Sequence, residues 1–147
     1  MTLTLREVKK GLFDLLKTKY PDYHYYSMAV TEGYKRPSFF TQIKPVSMNV
    51  VTERMRENVI TFYIDYFQEQ IDEMDMLDKI DEIKKLFGTH VKINDRALDV
   101  TSFEYDFIGT DRNILEISIE LEWMEKIEQI NTQPVMESAF FNTEMEE

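Results

Sequence analysis

"VITFYIDYF", residues 59–67, is the stretch that decides the fold. Apolar and polar side chains alternate along it, and β-branched and aromatic residues dominate, which is typical of a strand with one buried face. The residues predicted to face the core are Ile60, Phe62, Ile64 and Tyr66, and those predicted to face away are Thr61, Tyr63 and Asp65. This segment therefore predicts a sheet that is covered on one side.

A second segment, residues 114–124, repeats the alternation further along the chain. Its predicted inward residues are Ile117, Ile119, Leu121 and Trp123, and its predicted outward residues are Glu116, Ser118, Glu120 and Glu122. Antiparallel sheets commonly have one face packed on the core and one face in water. The segment therefore predicts a strand with one dry and one wet face.

Two helices are predicted to cover the dry face. Thr4 and Glu7 have the spacing of a capping box, which starts a helix at about residues 4–20. The second helix covers residues 72–87, and Gly88 follows it where glycine commonly ends a helix. The predicted buried face of the second helix consists of Met76, Leu77, Ile80, Ile83 and Phe87.

Two prolines bracket a further predicted strand. Pro37 and Pro45 enclose residues 38–44, and proline cannot donate a backbone hydrogen bond to a strand ladder. We therefore expect this strand to be limited to about seven residues. Other strands are predicted at residues 23–30 and in the stretches "HVKI" and "RALDVTSFEYDFIG".

The resulting element order is α-β-β-β-α-β-β-β. It predicts an α+β fold in which two helices pack on one face of a mainly antiparallel sheet. We assign residues 1–125 to a single domain and residues 126–147 to an acidic C-terminal extension.

Composition narrows the classes of function. The chain has 147 residues, no cysteine and a net charge of −11, and the part from residue 113 onward carries −8 of it, from nine glutamates and one lysine. Such a balance argues against specific binding of nucleic-acid phosphate. There is no long apolar run for a membrane span and no apolar leader, so we expect no membrane association. The absence of cysteine fits a reducing compartment such as a cytoplasm.

The sequence contains no pattern typical of an active site. The two histidines, His24 and His90, lack a metal-ligand spacing, and the four glycines are too scattered to cradle a phosphate. Nucleophile motifs are absent. The acidic run on the second helix lacks the loop and the glycine of an EF-hand. We therefore predict no enzyme activity, no metal site and no cofactor.

Aromatic residues exceed what one small core should need. Tyrosine, phenylalanine and methionine are enriched at protein interfaces, so we name Tyr25, Tyr34, Phe140 and Phe141 as candidate partner contacts. The alternative is that the tyrosines simply cover a sheet. Residues beyond about Gln129 should be mobile in the free subunit or dock onto a neighbouring subunit through Phe140 and Phe141, because their apolar cluster is too small to fold alone.

The motifs together resemble the tail terminator family of tailed bacteriophages, above all its branch from contractile tails and phage-like bacteriocins of Gram-positive hosts. The resemblance covers roughly residues 3–125 and rests on "YPDYHYY", "GYKRPSFFTQIKPVS", the alternating "ITFYIDYF" and an acidic helix ending in "LFG". Within the second stretch, the matching residues are Pro37, Phe39, Phe40, Gln42 and Pro45.

The resemblance implies a structural role without catalysis. Tail terminators form a ring, usually six-fold, on the head-proximal end of the tail tube, where they stop polymerisation and join the neck. The implied partners are further copies of the chain, the tail tube protein, a neck protein and, as a further candidate, the sheath. The implied location is the virion, after assembly in the host cytoplasm.

Phage DNA would pass through such a ring without being bound specifically. Glu116, Glu120 and Glu122 are the candidate channel-facing acids, because carboxylates repel phosphate. Two alternatives remain open: another neck or head-completion connector, and, from a different class, an acidic module that mimics DNA.

Overall fold

The computed structural model describes residues 3–27, 33, 35–110 and 112–127. The elements are α1 (Leu5–Lys19), β1 (His24–Ser27), β2 (Ser38–Thr52), β3 (Met55–Phe67), α2 (Glu73–Phe87), β4 (His90–Ile93), β5 (Arg96–Ile108) and β6 (Ile114–Lys126). Tyr34, Phe140 and Phe141, and nearly all of the predicted extension, lie outside the described residues. Neither described helix has the length and apolar character that a membrane span requires.

The six strands form one sheet in the order β1-β2-β3-β6-β5-β4. β1 runs parallel to β2, and every other neighbouring pair is antiparallel. Apolar residues of both helices join one core cluster with the inward residues of the sheet, so the helices cover a single face. The predicted α+β class and element order are confirmed. The sheet, predicted to be mainly antiparallel, is mixed because β1 and β2 are parallel.

The centre of the core lies between β3 and β6. Their register places four pairs of inward side chains opposite each other: Ile60 with Leu121, Phe62 with Ile119, Ile64 with Ile117, and Tyr66 with Leu115. All eight side chains are buried. Directly opposed apolar pairs are the unit that stabilises a sheet, so the two segments with the clearest alternation form its centre.

The helix boundaries follow from their caps. The Glu7 amide donates to Thr4 Oγ1 at 3.1 Å, and the Thr4 amide donates to Glu7 Oε1 at 2.9 Å, which confirms the capping box. α2 begins after Asp72, whose side chain accepts from the Met74 amide. The predicted buried face of α2 is wrong at Leu77, which is 42% exposed.

Lys79 is buried on α2 in place of Leu77. Its ammonium lies between 5.2 and 5.4 Å from the ring centres of Tyr20, Tyr23 and Tyr66, and 3.1 Å from Asp75 Oδ1. Burial alone would lower the pKa of Lys79, but hydrogen bonds to Tyr23 and Asp75 outweigh it and raise that pKa. Three tyrosines therefore enclose a cation inside the subunit.

The expected length of the strand that begins after Pro37 is wrong, because β2 continues through Pro45 to Thr52. β1 pairs with β2 only at residues 38–41, so Pro45 lies where β2 has no second neighbour among the described strands. An edge strand tolerates proline, since the missing N–H leaves no partner unsatisfied, and the register shifts directly after it. β2 and β3 therefore form a long hairpin.

The far end of this hairpin is fastened to β6. Glu125 is 4% exposed and accepts hydrogen bonds from Arg56 Nε at 2.8 Å and Asn58 Nδ2 at 3.2 Å. Near the turn, the Ile127 amide donates to the Arg54 carbonyl at 2.7 Å. β3 begins only at Met55, since the residues before the hairpin turn belong to β2.

Candidate functional site

The helix-free face of the sheet carries a concentration of carboxylates. The register aligns Asp65 of β3, Glu116 of β6 and Asp106 of β5 in one row across the central strands. We define the acidic face as the carboxylates that the register of β3, β6 and β5 places on this side: Glu57, Asp65, Asp99, Glu104, Asp106, Glu116, Glu120 and Glu122. Lys126 is the one basic residue that these three strands contribute to the same side.

Asp65 is the most enclosed member of the acidic face. Its side chain is 6% exposed, and its Oδ1 has no hydrogen-bond partner among the described residues. Burial, together with repulsion from and hydrogen bonding to Glu116, raises the pKa of Asp65 from 3.8 to about 7. Near neutral pH Asp65 therefore keeps its proton in a large part of the molecules, because a carboxyl group in a poorly solvated site beside another carboxylate does not ionise readily.

The acidic face continues toward the hairpin end of β6. The pKa of Glu122 is raised by partial desolvation and by repulsion from Glu57, Asp99 and Glu120. The hydroxyl of Thr101 donates to Glu120 Oε1 at 2.9 Å. Mutual repulsion of this kind is a cost to folding, which a surface selected for stability alone would avoid. The structure thus places Glu116, Glu120 and Glu122, the three acids named from the sequence, on one face of β6.

Replacing Asp65 by asparagine should stabilise the protein in a pH-dependent way. The folded-state pKa of Asp65 is raised, so the contribution of Asp65 to wild-type stability is fully present at low pH and is lost as the pH rises through about 7. Between pH 5.5 and pH 8 this loss should be about 2 kcal/mol. The side-chain amide of asparagine cannot ionise, so Asp65→Asn should lack that loss in urea unfolding at the two pH values.

Glu104→Gln is the matched control for this substitution, because Glu104 is an exposed carboxylate of the same face. It should leave the pH dependence of the unfolding free energy as it is in the wild type. An Asp65→Asn variant that loses stability between the two pH values as steeply as the wild type would show that Asp65 ionises normally.

Tyr25 is the one predicted partner contact that the structure describes. Its hydroxyl donates to the carbonyls of Tyr20 at 2.7 Å and Leu16 at 3.2 Å, and its ring packs edge-on against Phe13. The structure therefore gives Tyr25 a role inside the subunit, where it joins α1 to β1. A contact of Tyr25 with a partner stays a prediction, as do those of Tyr34, Phe140 and Phe141.

Sequence reasoning missed the apolar surface of the hairpin. Four side chains of β2 are strongly exposed: Val46 at 49%, Met48 at 53%, Val50 at 66% and Val51 at 55%. Between β2 and the start of α1 lies a groove of about 340 Å³, whose lining includes Leu3, Met48 and Trp123. The signal is the apolar stretch "PVSMNVV", which lies from Pro45 onward, where the sequence predicts the strand to end.

The described residues contain no arrangement suited to catalysis by a metal. No group of three or more histidine, aspartate or glutamate side chains among them could hold an ion, and this includes the acidic face. The carboxylates instead lie along a surface, and the exposed apolar residues lie along a strand edge. Charged faces and exposed apolar strand edges are both typical of proteins that bind or pass other macromolecules.

Comparisons with known proteins agree with this interpretation. The sequence model of a family described as phage tail terminator protein matches residues 7–133. No curated protein is significantly similar to this sequence. One solved structure covers 88% of this chain and 100% of its own, with 10% identity and a TM-score of 0.52, which shows a shared fold alone. From the family match, which runs from α1 through β6, the chain belongs to the phage tail terminator family, whose members are structural proteins of the phage tail.

Proposed function

We propose that this protein forms a six-fold ring that caps the head-proximal end of the tail tube, ends its polymerisation and joins the tail to the neck. The observation that carries the proposal is the family match over residues 7–133, which includes both helices and all six strands apart from the first residues of α1. The ring would contact the tail tube protein on one side and a neck protein on the other, with the sheath as a further neighbour in contractile tails.

The acidic face supports this role through its charge. A ring at this position has to let DNA pass without holding it, and a wall of carboxylates repels phosphate within a Debye length of about 8–10 Å. We propose that Glu116, Glu120 and Glu122 face the channel. Their alignment with Asp65, Asp99 and Asp106 on neighbouring strands would extend the repulsion across the width of the sheet.

Tube growth in the presence of the protein tests the proposal. Purified protein is added to tail tubes elongating from baseplates, and tube lengths and ends are measured by electron microscopy. We expect growth to stop and an additional ring to appear at the growing end, with native mass spectrometry giving six copies. Unchanged tube lengths together with a protein that stays monomeric would contradict the proposal.

The same experiment separates the two alternatives. A neck connector would bind finished tails or heads and would leave the length of growing tubes unchanged. A DNA mimic would instead compete with DNA for a DNA-binding protein, and the eight aligned carboxylates of the acidic face are the feature that favours it. Capping of tubes without such competition supports the terminator.

A further inference from the structure

We propose that neighbouring copies in the ring join through their strand edges. The outer edge of β2 at residues 42–52 would pair, antiparallel, with the outer edge of β5 at residues 101–108 of the next copy. This inference rests on the proposed ring, and it names the surface and the partner that would close it: a second copy of this chain.

The sheet has two partly open edges among the described residues. β1 covers β2 only at residues 38–41, and β4 covers β5 only at residues 96–99, with one further bond from the Val100 amide to the Thr89 carbonyl. The remaining parts of β2 and β5 have no paired neighbour on their outer sides in the described sheet. Their backbone N–H and C=O groups form a template for another strand.

The open part of β2 lacks the usual protection of an edge strand. Natural edges are short, charged or covered, whereas this one exposes Val46, Met48, Val50 and Val51 over a long hairpin. Lys44 and Pro45 interrupt it only at its beginning. The open part of β5 likewise exposes Tyr105 at 54%. Apolar edges of this kind are stable in a soluble protein when an assembly covers them.

Charge selects one edge as the partner of the other. Residues 42–52 carry a single charged side chain, the cation of Lys44, whereas residues 101–108 carry two anions, Glu104 and Asp106. Pairing β2 with β5 therefore joins opposite charges, while pairing either edge with itself joins like charges across the interface.

Strand direction and position agree with a ring. Three successive antiparallel pairings separate β2 from β5, so the two strands run in opposite directions when copies stand in the same orientation. Joining two different edges is a head-to-tail contact, which closes into a ring when the rotation between copies allows it. Along the strand direction, the open part of β2 lies at one end of the sheet and the open part of β5 lies at the other end. Neighbouring copies accommodate this offset when their strands are tilted relative to the ring axis.

Cysteine cross-linking tests the pairing, since the chain has no cysteine of its own. Single variants Met48→Cys and Val50→Cys mark β2, and Phe103→Cys and Tyr105→Cys mark β5; the register places all four side chains on the helix-covered side of the sheet. Mild oxidation should link a β2 variant to a β5 variant at least about tenfold more than two variants of the same edge, because pairing brings the thiols to an effective concentration on the order of millimolar. In an antiparallel interface, the productive pairs share a constant sum of residue numbers.

Leu77→Cys is the matched control, because Leu77 is an exposed apolar residue of α2 and belongs to neither edge strand. It should form no covalent dimer with any of the four edge variants beyond the background. Reversing charge gives a second readout: Lys44→Glu should weaken ring formation, and Glu104→Lys combined with Asp106→Lys should restore it.

The possible results separate the edge pairing from the ring itself. Rings seen by electron microscopy that cross-link within one edge, or at neither edge, would overturn the edge pairing and leave the proposed function intact. A protein that stays monomeric at every concentration, with or without tail tubes, would contradict both. Cross-links between residues whose numbers differ by a constant would show that the two strands pair in parallel, which would overturn the proposed antiparallel pairing.

Discussion

Replacing Trp123 by alanine should lower the free energy of unfolding by about 3–5 kcal/mol. Trp123 is 3% exposed and faces the helix-covered side of β6, in line with Leu121 and Ile119. Its Nε1 has no hydrogen-bond partner among the described residues, so the loss comes from packing and from the cavity that alanine leaves. The measurement is the midpoint and slope of urea unfolding of the purified subunit.

Met124→Ala is the control for this substitution, because Met124 follows directly on the same strand and is 39% exposed on the opposite face. It should cost less than about 1 kcal/mol, as substitutions outside the core usually do. Equal stability of the two alanine variants would mean that Trp123 does not belong to the core.

Changing Glu116, Glu120 and Glu122 together to lysine should leave rings and tails assembled but reduce DNA delivery at least about tenfold. Each substitution adds two positive charges, so the three together move the net charge of each subunit from −11 to −5. They would also line the proposed channel with cations that hold phosphate. The fold should tolerate them, because a lysine at position 116 would lie beside Asp65 and Asp106 and replace repulsion by attraction.

The measurement is plaque formation per assembled particle, with particles counted by electron microscopy. A triple glutamine variant is the control: it removes the charge without adding attraction, so infectivity should stay near the wild-type value. Undiminished infectivity of lysine-bearing particles would refute the channel assignment, and failure to form rings would place this face of β6 at a subunit interface.

The sequence by itself determined the features that depend on neighbouring residues. Alternation in residues 59–67 and 114–124 identified the inward side chains of β3 and β6, because side chains of a strand point to opposite faces in turn. The spacing of Thr4 and Glu7 located the start of α1, because both hydrogen bonds of the cap close within one turn. Element order and fold class followed from these signals, and the family resemblance agrees with the match to residues 7–133.

Only the tertiary structure decided the features that depend on which strands lie side by side. Pro45 could not be recognised as part of β2 from the sequence, since whether its missing N–H matters depends on how far β1 extends. The raised pKa of Asp65 arises from burial and from Glu116, which lies far along the chain on β6. Three tyrosines enclose Lys79, and they come from the C-cap of α1, the turn before β1 and strand β3, which only the tertiary structure brings together. Burial, edge exposure and charge clustering all come from contacts distant in sequence, which local patterns do not contain.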